Sequence, residues 1–358
     1  MPATQDLHNL GQSLWLDNIT RKLLDDGVIQ RYIDEYSVTG LTSNPSIFDK
    51  AIAGGHYDDA IREKSAGSGI GGQDLFFELA IEDLRRAADM FLGVHERTDG
   101  VDGWVSLEVS PELAYDADAT VAAATELHAR AGRRNLFIKI PGTPEGLPAI
   151  EASIAAGVPV NVTLLFSADQ YRAAADAYMK GIERRLDAGL APAVGSVASV
   201  FMSRWDKAVA DIVPDNLRNR LALAVGLDVY RAYREVLDSE RWQRLEGEGA
   251  RVQRLLWAST STKDPTAPDT LFITGLAAPL TVNTIPDETL EAFHDHGSLE
   301  GSLPADGGDA DAQLAEFAAA GVDVAALATK LQTDGAQAFV DSWNDLIKRI
   351  AEQQGAVT

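Results

Sequence analysis

Eight short runs rich in β-branched and aromatic residues recur along this chain, each separated from the next by a stretch of helical character. They are Ser13–Asn18, Ser37–Ser43, Trp104–Ser110, Leu136–Ile140, Pro159–Phe166, Ala193–Val200, Arg251–Ser259 and Ala278–Ile285. Strands that alternate with helices pair in parallel, because a parallel connection needs a crossover and a helix supplies it. Eight such runs in 358 residues suggest an α/β fold of the closed (β/α)8 TIM-barrel type. An open doubly wound sheet satisfies the same alternation. Residues 1–358 are expected to form a single domain. The loop-like segments Glu246–Ala250 and Gly301–Asp309 are too short for linkers, and no repeat of solenoid period occurs.

The intervening helices carry apolar stripes. Phe77, Ile81, Leu84, Ala88 and Phe91 fall at helical spacing, as do Tyr171, Ala174, Tyr178 and Ile182. Ser167 and Gln170 have the spacing of a capping box that opens the helix after the fifth run. Phe339, Trp343, Leu346 and Ile350 form a last stripe with no strand after it. This additional C-terminal helix must pack outside the barrel or across its mouth, where Phe339 and Trp343 would cover the opening.

Charge and cysteine content narrow the function. With 54 acidic against 31 basic side chains, the net charge is −23, and no run of Lys and Arg offers a broad basic surface. Such a chain repels nucleic acid and anionic membrane. A phosphorylated small molecule remains compatible, because a few buried cations act locally against the global field. The absence of cysteine excludes disulfides, thiolate metal sites and a cysteine nucleophile. No segment reads as a signal peptide or as a membrane span, so a cytoplasmic protein is expected.

The segment Asn135–Thr143, NLFIKIPGT, carries the strongest chemical signal. Lys139 lies inside an apolar strand, between Ile138 and Ile140. Lysine is rarely buried without a partner, and desolvation favours the neutral amine, which is the nucleophile. Two readings are open: a Schiff-base lysine near the catalytic end of a strand, or a lysine that snorkels to solvent or pairs with a carboxylate. Other runs tilt the balance. Asp17 ends the first, Glu108 lies in the third, and Asn161 and Thr163 share one face of the fifth. Catalytic groups of such barrels come from the ends of several strands, and an amine, two carboxylates, an amide and a hydroxyl suit carbonyl chemistry. In Gly40–Phe48, GLTSNPSIF, Asn44 before Pro45 is either a helix-capping residue or an amide presented at the barrel mouth.

GLTSNPSIF resembles the signature that follows the second barrel strand in the transaldolase family, and NLFIKIPGTPEG with PVNVTLLFS resembles that family's Schiff-base segment. The resemblance runs from Leu14 to Ile350 and is nearest the longer bacterial type. It implies that Lys139 is the Schiff-base nucleophile and that Asp17 is the general acid/base at the ketose C4 hydroxyl. It implies that Glu108 and Thr163 hold a proton-shuttling water, and that Asn44 and Asn161 bind the dihydroxyacetone moiety. Ser199-Val-Phe-Met-Ser-Arg204 resembles the family's Ser-x-Phe-x-x-Arg, which makes Ser199, Phe201 and Arg204 substrate-binding, with Arg204 on the phosphate. Many relatives have a second arginine after the seventh strand. Here Trp257–Lys263 reads WASTSTK, so Ser259 and Lys263 stand in that region, Lys263 either as the replacement cation or as an exposed loop lysine.

The implied activity is transfer of a dihydroxyacetone unit between sugar phosphates in the pentose phosphate pathway, without a cofactor or metal, by a monomer or homodimer. A fructose 6-phosphate aldolase is the neighbouring alternative, and a non-catalytic phosphosugar-binding barrel the remote one. Gly67–Gly72, GSGIGG, fits G-x-G-x-x-G but follows a polar helix-like stretch, so a flexible loop is expected there in place of a nucleotide site. His294 and His296 are expected in a polar loop without the further histidines a structural metal needs.

Overall fold

Each of the eight runs forms a strand. They are β1 Ser13–Leu16, β2 Val38–Leu41, β3 Val105–Glu108, β4 Leu136–Pro141, β5 Val160–Leu165, β6 Ser196–Phe201, β7 Gln253–Ala258 and β8 Val282–Ile285. The structure, a computed structural model, describes residues 2–68 and 70–357. All pairings are parallel and follow chain order, and β1 closes on β8 from Ser13↔Val282 to Leu16↔Ile285. The closed (β/α)8 barrel is therefore the fold, and the open sheet is not.

Register aligns the polar strand residues. Glu108 pairs with Lys139, and Lys139 pairs with Asn161. Register partners on neighbouring parallel strands project to the same face, so these three form one row across β3, β4 and β5. Two residues earlier on β1 and β4, Trp15 and Phe137 fill the lumen nearer the N-terminal ends of the strands, and Trp104 stacks on Phe137 with ring centroids 4.0 Å apart. Gly40 makes room for them: a Cβ there would lie 2.6 Å from the Trp104 carbonyl oxygen and 2.8 Å from Trp15 Nε1. Asp102 accepts from Trp15 Nε1 at 2.7 Å and from the Ser13 hydroxyl, and Arg254 donates to Ser13 Oγ at 2.6 Å and to the Thr281 carbonyl at 2.7 Å. Aromatic rings and a hydrogen-bonded polar network thus pack this layer of the lumen, and a separate cavity of about 370 Å³ opens beyond it at the N-terminal ends of the strands.

The helical stripes face inward. Phe77, Ile81, Leu84, Ala88 and Phe91 are buried along the Gly72–Arg97 helix, and Tyr171, Ala174, Tyr178 and Ile182 along the Ala168–Asp187 helix. Ser167 caps the latter by accepting from Gln170 N, but Gln170 Oε1 accepts from Phe166 N, one residue before the cap, so the box is displaced by one position. The C-terminal helix, Val324–Val357, lies across the barrel mouth and rests on the Pro45–Ala53 helix. Its Phe339 faces the mouth, whereas Trp343 packs against Phe76 and Phe77, with centroids 5.2 and 5.7 Å away, and anchors the helix. Trp343 is therefore an anchor and not part of the cover.

Three loop expectations are corrected. Glu246 and Gly247 end the Glu240–Gly247 helix, and Gly67 and Ser68 end the Asp58–Ser68 helix, with Gly69 outside the described residues. His294 and His296 belong to the Asp287–His296 helix, where His294 stacks on Tyr36 and His296 faces Asp269. Gly301–Asp309 has neither helix nor strand. Among the described residues, no group of three or more His, Asp or Glu is placed to hold a metal ion, and no helix is long and apolar enough to cross a membrane.

Candidate active site

A cavity of about 370 Å³ opens at the C-terminal ends of the strands, the face where barrel enzymes carry their chemistry. Lys139, near the end of β4, is 6% exposed and reaches its lumen. Lys139 Nζ donates to the Ser43 carbonyl at 3.0 Å and to Glu108 Oε2 at 3.3 Å. The segments GLTSNPSIF and NLFIKIPGT, 96 residues apart at this bond, thus meet at the amine. The ring of Phe339 is centred 5.9 Å from it.

Two carboxylates flank the lysine at different depths. Asp17 lines the cavity and accepts from Thr42 Oγ1 at 3.0 Å. Burial raises its pKa, and the charge of Lys139 and the Thr42 bond pull it back. Glu108 lies deeper and does not line the cavity. Burial raises its pKa too, against the charge and hydrogen bond of Lys139 and with a small addition from Asp17. Glu108 Oε1 and Thr163 Oγ1 are both buried and make no hydrogen bond among the described residues. Thr163 lines the cavity beside the amine's strand.

The remaining polar residues divide between wall and support. Asn44 lines the mouth while its Oδ1 accepts from Ile47 N at 3.1 Å and from Ser46 Oγ at 2.7 Å, so it caps the Pro45–Ala53 helix and faces the cavity as well. Asn161 is fully buried beneath the wall: its Nδ2 donates to Ser106 Oγ at 3.2 Å, and its Oδ1 accepts from Ser199 Oγ at 2.7 Å. Ser199, Phe201, Arg204, Ser259 and Lys263 all line the cavity. Arg204 lies between aromatic rings, its guanidinium carbon 5.1 Å from the centre of Phe201 and 6.0 Å from that of Phe339. Burial lowers its pKa, and no carboxylate among the described residues pairs with it. Lys263 is pushed down by burial and by the neighbouring charges of Lys207, Arg204 and Lys50, with Asp17 opposing. In a molecule of net charge −23, this rim is a local positive pole suited to an anion.

Residues 14–350 match the family model described as Transaldolase/Fructose-6-phosphate aldolase. The chain belongs to this family. A protein named Transaldolase from Parafrankia sp. is 44% identical over 361 residues, spanning 98% of each chain. One from Thermobifida fusca is 44% identical over 364 residues, 99% of each, and one from Neisseria gonorrhoeae is 42% identical, covering 97% of this chain and 99% of that protein.

Sequence reasoning about this family member missed several polar wall residues, among them Thr42, Thr284, Lys50 and Ser342. Thr42 bonds Asp17 and, at 2.6 Å, Thr284 Oγ1 of β8. Both threonines are polar groups in or beside apolar strands, the signal that singled out Asp17 and Glu108. Lys50 and Ser342 lie on helices that only tertiary packing brings to the mouth, and nothing local marks them.

Proposed function

We propose that this chain is a transaldolase. It moves a dihydroxyacetone unit from sedoheptulose 7-phosphate or fructose 6-phosphate to glyceraldehyde 3-phosphate or erythrose 4-phosphate, in the cytoplasm, as a step of the pentose phosphate pathway. The observation that carries the reading is the Lys139 amine at the inner end of the cavity, held by the Ser43 carbonyl and Glu108.

In this reading the Lys139 amine adds to the C2 carbonyl of the ketose. Loss of water gives an iminium, an electron sink for the pair released when the C3–C4 bond breaks. Asp17 takes the proton from the C4 hydroxyl as that oxygen becomes the carbonyl of the departing aldose. Its burial and its Thr42 bond suit a group that must gain and lose a proton. Glu108 and Thr163 hold the water that carries protons to and from the carbinolamine, and their unpartnered oxygens support that role. Asn44 and Asn161 orient the three-carbon unit, the latter with Ser199, to which it is bonded. Ser259 lines the same wall, and Phe201 forms the apolar plate on which Arg204 is fixed. Arg204 and Lys263 bind the phosphate.

A coupled assay with fructose 6-phosphate tests the activity. With erythrose 4-phosphate present, glyceraldehyde 3-phosphate should form together with sedoheptulose 7-phosphate. Equal turnover with and without the acceptor, with free dihydroxyacetone as product, would make the protein an aldolase instead. No turnover would leave only a binding barrel.

A further inference from the structure

The strands that carry Lys139 and Thr163 end against a single side chain of the C-terminal helix. Gln332 Nε2 donates to the Gly142 carbonyl at 3.0 Å, just past β4, and to the Leu164 carbonyl at 2.9 Å on β5. Gln332 is 6% exposed, so these bonds are shielded from water. Between them, Gly142 N donates to the Thr163 carbonyl at 2.7 Å. The two strand ends and the helix are thus tied at one point.

What is tied there is not at rest. Leu164, directly after Thr163, has φ +61°, a left-handed conformation that costs a branched L-residue energy, and β5 shifts register against β6 between Val162 and Leu165. Such irregularities re-aim side chains beside active sites and persist only where surrounding groups over-determine them. Gln332 supplies that restraint from the C-terminal helix. The same helix face continues to Gly335, where a Cβ would lie 2.9 Å from Arg204 Nη1 and 3.1 Å from Leu164 Cδ2, and then to Phe339 over the amine.

We propose that Gln332 is a positioning residue, a two-carbonyl clamp that fixes the ends of β4 and β5 to the C-terminal helix and keeps Phe339 over the carbon chemistry at Lys139. The proposal rests on the Schiff-base reading. When the aldose phosphate has left, the enamine on Lys139 has two fates. It attacks the carbonyl of an acceptor aldose, or it is protonated at carbon by solvent, after which water adds to the iminium and the C–N bond breaks to give dihydroxyacetone and the free amine. Both fates pass through the mouth beside which the clamp holds the helix, and only the second needs bulk water.

The test compares the full-length chain with Gln332→Leu, which keeps the volume and removes both donors. Gln332→Asn, which keeps the donors on a shorter arm, serves if the first variant fails to fold. Leu331→Ala, a buried apolar truncation in the same helix, is the control for general loosening. The readout is dihydroxyacetone released per sedoheptulose 7-phosphate formed from fructose 6-phosphate and erythrose 4-phosphate, with KM, kcat and Tm measured alongside. The Gln332 variants should raise that ratio by about fivefold or more with KM changed by less than about twofold, while Leu331→Ala leaves the ratio as in the parent at a similar loss of Tm. An unchanged ratio in the Gln332 variant, or an equal rise in Leu331→Ala, overturns the clamp. Failure of the parent to give a borohydride-trapped adduct would overturn the Schiff-base reading itself, a separate outcome.

Discussion

Lys139 is bound by acceptors of two kinds, a backbone carbonyl that cannot titrate and a carboxylate that can. The site around it holds one lysine and two acids whose pKa values burial pushes upward. A raised Asp17 pKa keeps the acid protonated to higher pH than an ordinary carboxylate, and a base must be ionised. The kcat for cleavage should therefore fall as pH drops through the raised Asp17 pKa, above the ordinary carboxylate range. In Asp17→Asn the remaining activity should lose this acid limb, and a pH–rate profile of the variant decides. If the limb persists unchanged, Asp17 is not the titrating base. Arg204 makes a different demand. A half-buried guanidinium with aromatic neighbours and no paired carboxylate among the described residues gains most from an anion. Arg204→Ala should raise KM for fructose 6-phosphate by roughly ten- to a hundredfold, the effect of losing a charge-assisted bond, and erase most of the preference over unphosphorylated fructose. Steady-state kinetics on both ketoses would measure it.

Among the elements, the barrel depends on how tightly its lumen is filled. Gly40 is small because the Trp104 carbonyl and the Trp15 indole occupy the place of a side chain. Gly40→Ala should cost about 1–3 kcal/mol by overpacking, since the nearer obstacle is backbone. Thermal unfolding would show this as a fall in Tm of several degrees, and an unchanged Tm would mean that β2 shifts freely. The strands were legible because each is a β-branched or aromatic run bounded by polar residues, and their alternation with helical stripes dictates parallel pairing. The positive φ of Leu164 was not legible, since no glycine marks it. Gln332 reads locally as an ordinary polar residue of an amphipathic helix. The helix over Glu246 and Gly247 was hidden because Gly247 is itself helical and the chain turns only at Gly249.

Across the whole molecule, pattern alone allowed an open or a closed sheet, and the pairing of β1 with β8 decides for closure. Closure turns scattered polar residues into a site. Asp17, Glu108, Lys139 and Thr163 were visible from strand position, because a polar group in an apolar strand demands a reason. Lys50, Thr284 and the Ser43 carbonyl were not, because their relevance depends on a ring of strands and helices distant in sequence. The same closure explains how a chain of net charge −23 can offer a sugar phosphate a positive rim: Arg204, Lys263 and Lys50 gather at one mouth. One covalent bond decides the chemistry. The protein would be incubated with fructose 6-phosphate, reduced with borohydride, digested and mapped by mass spectrometry. A three-carbon adduct on Lys139 is the predicted result. An adduct confined to another lysine, or none while activity persists, would contradict it.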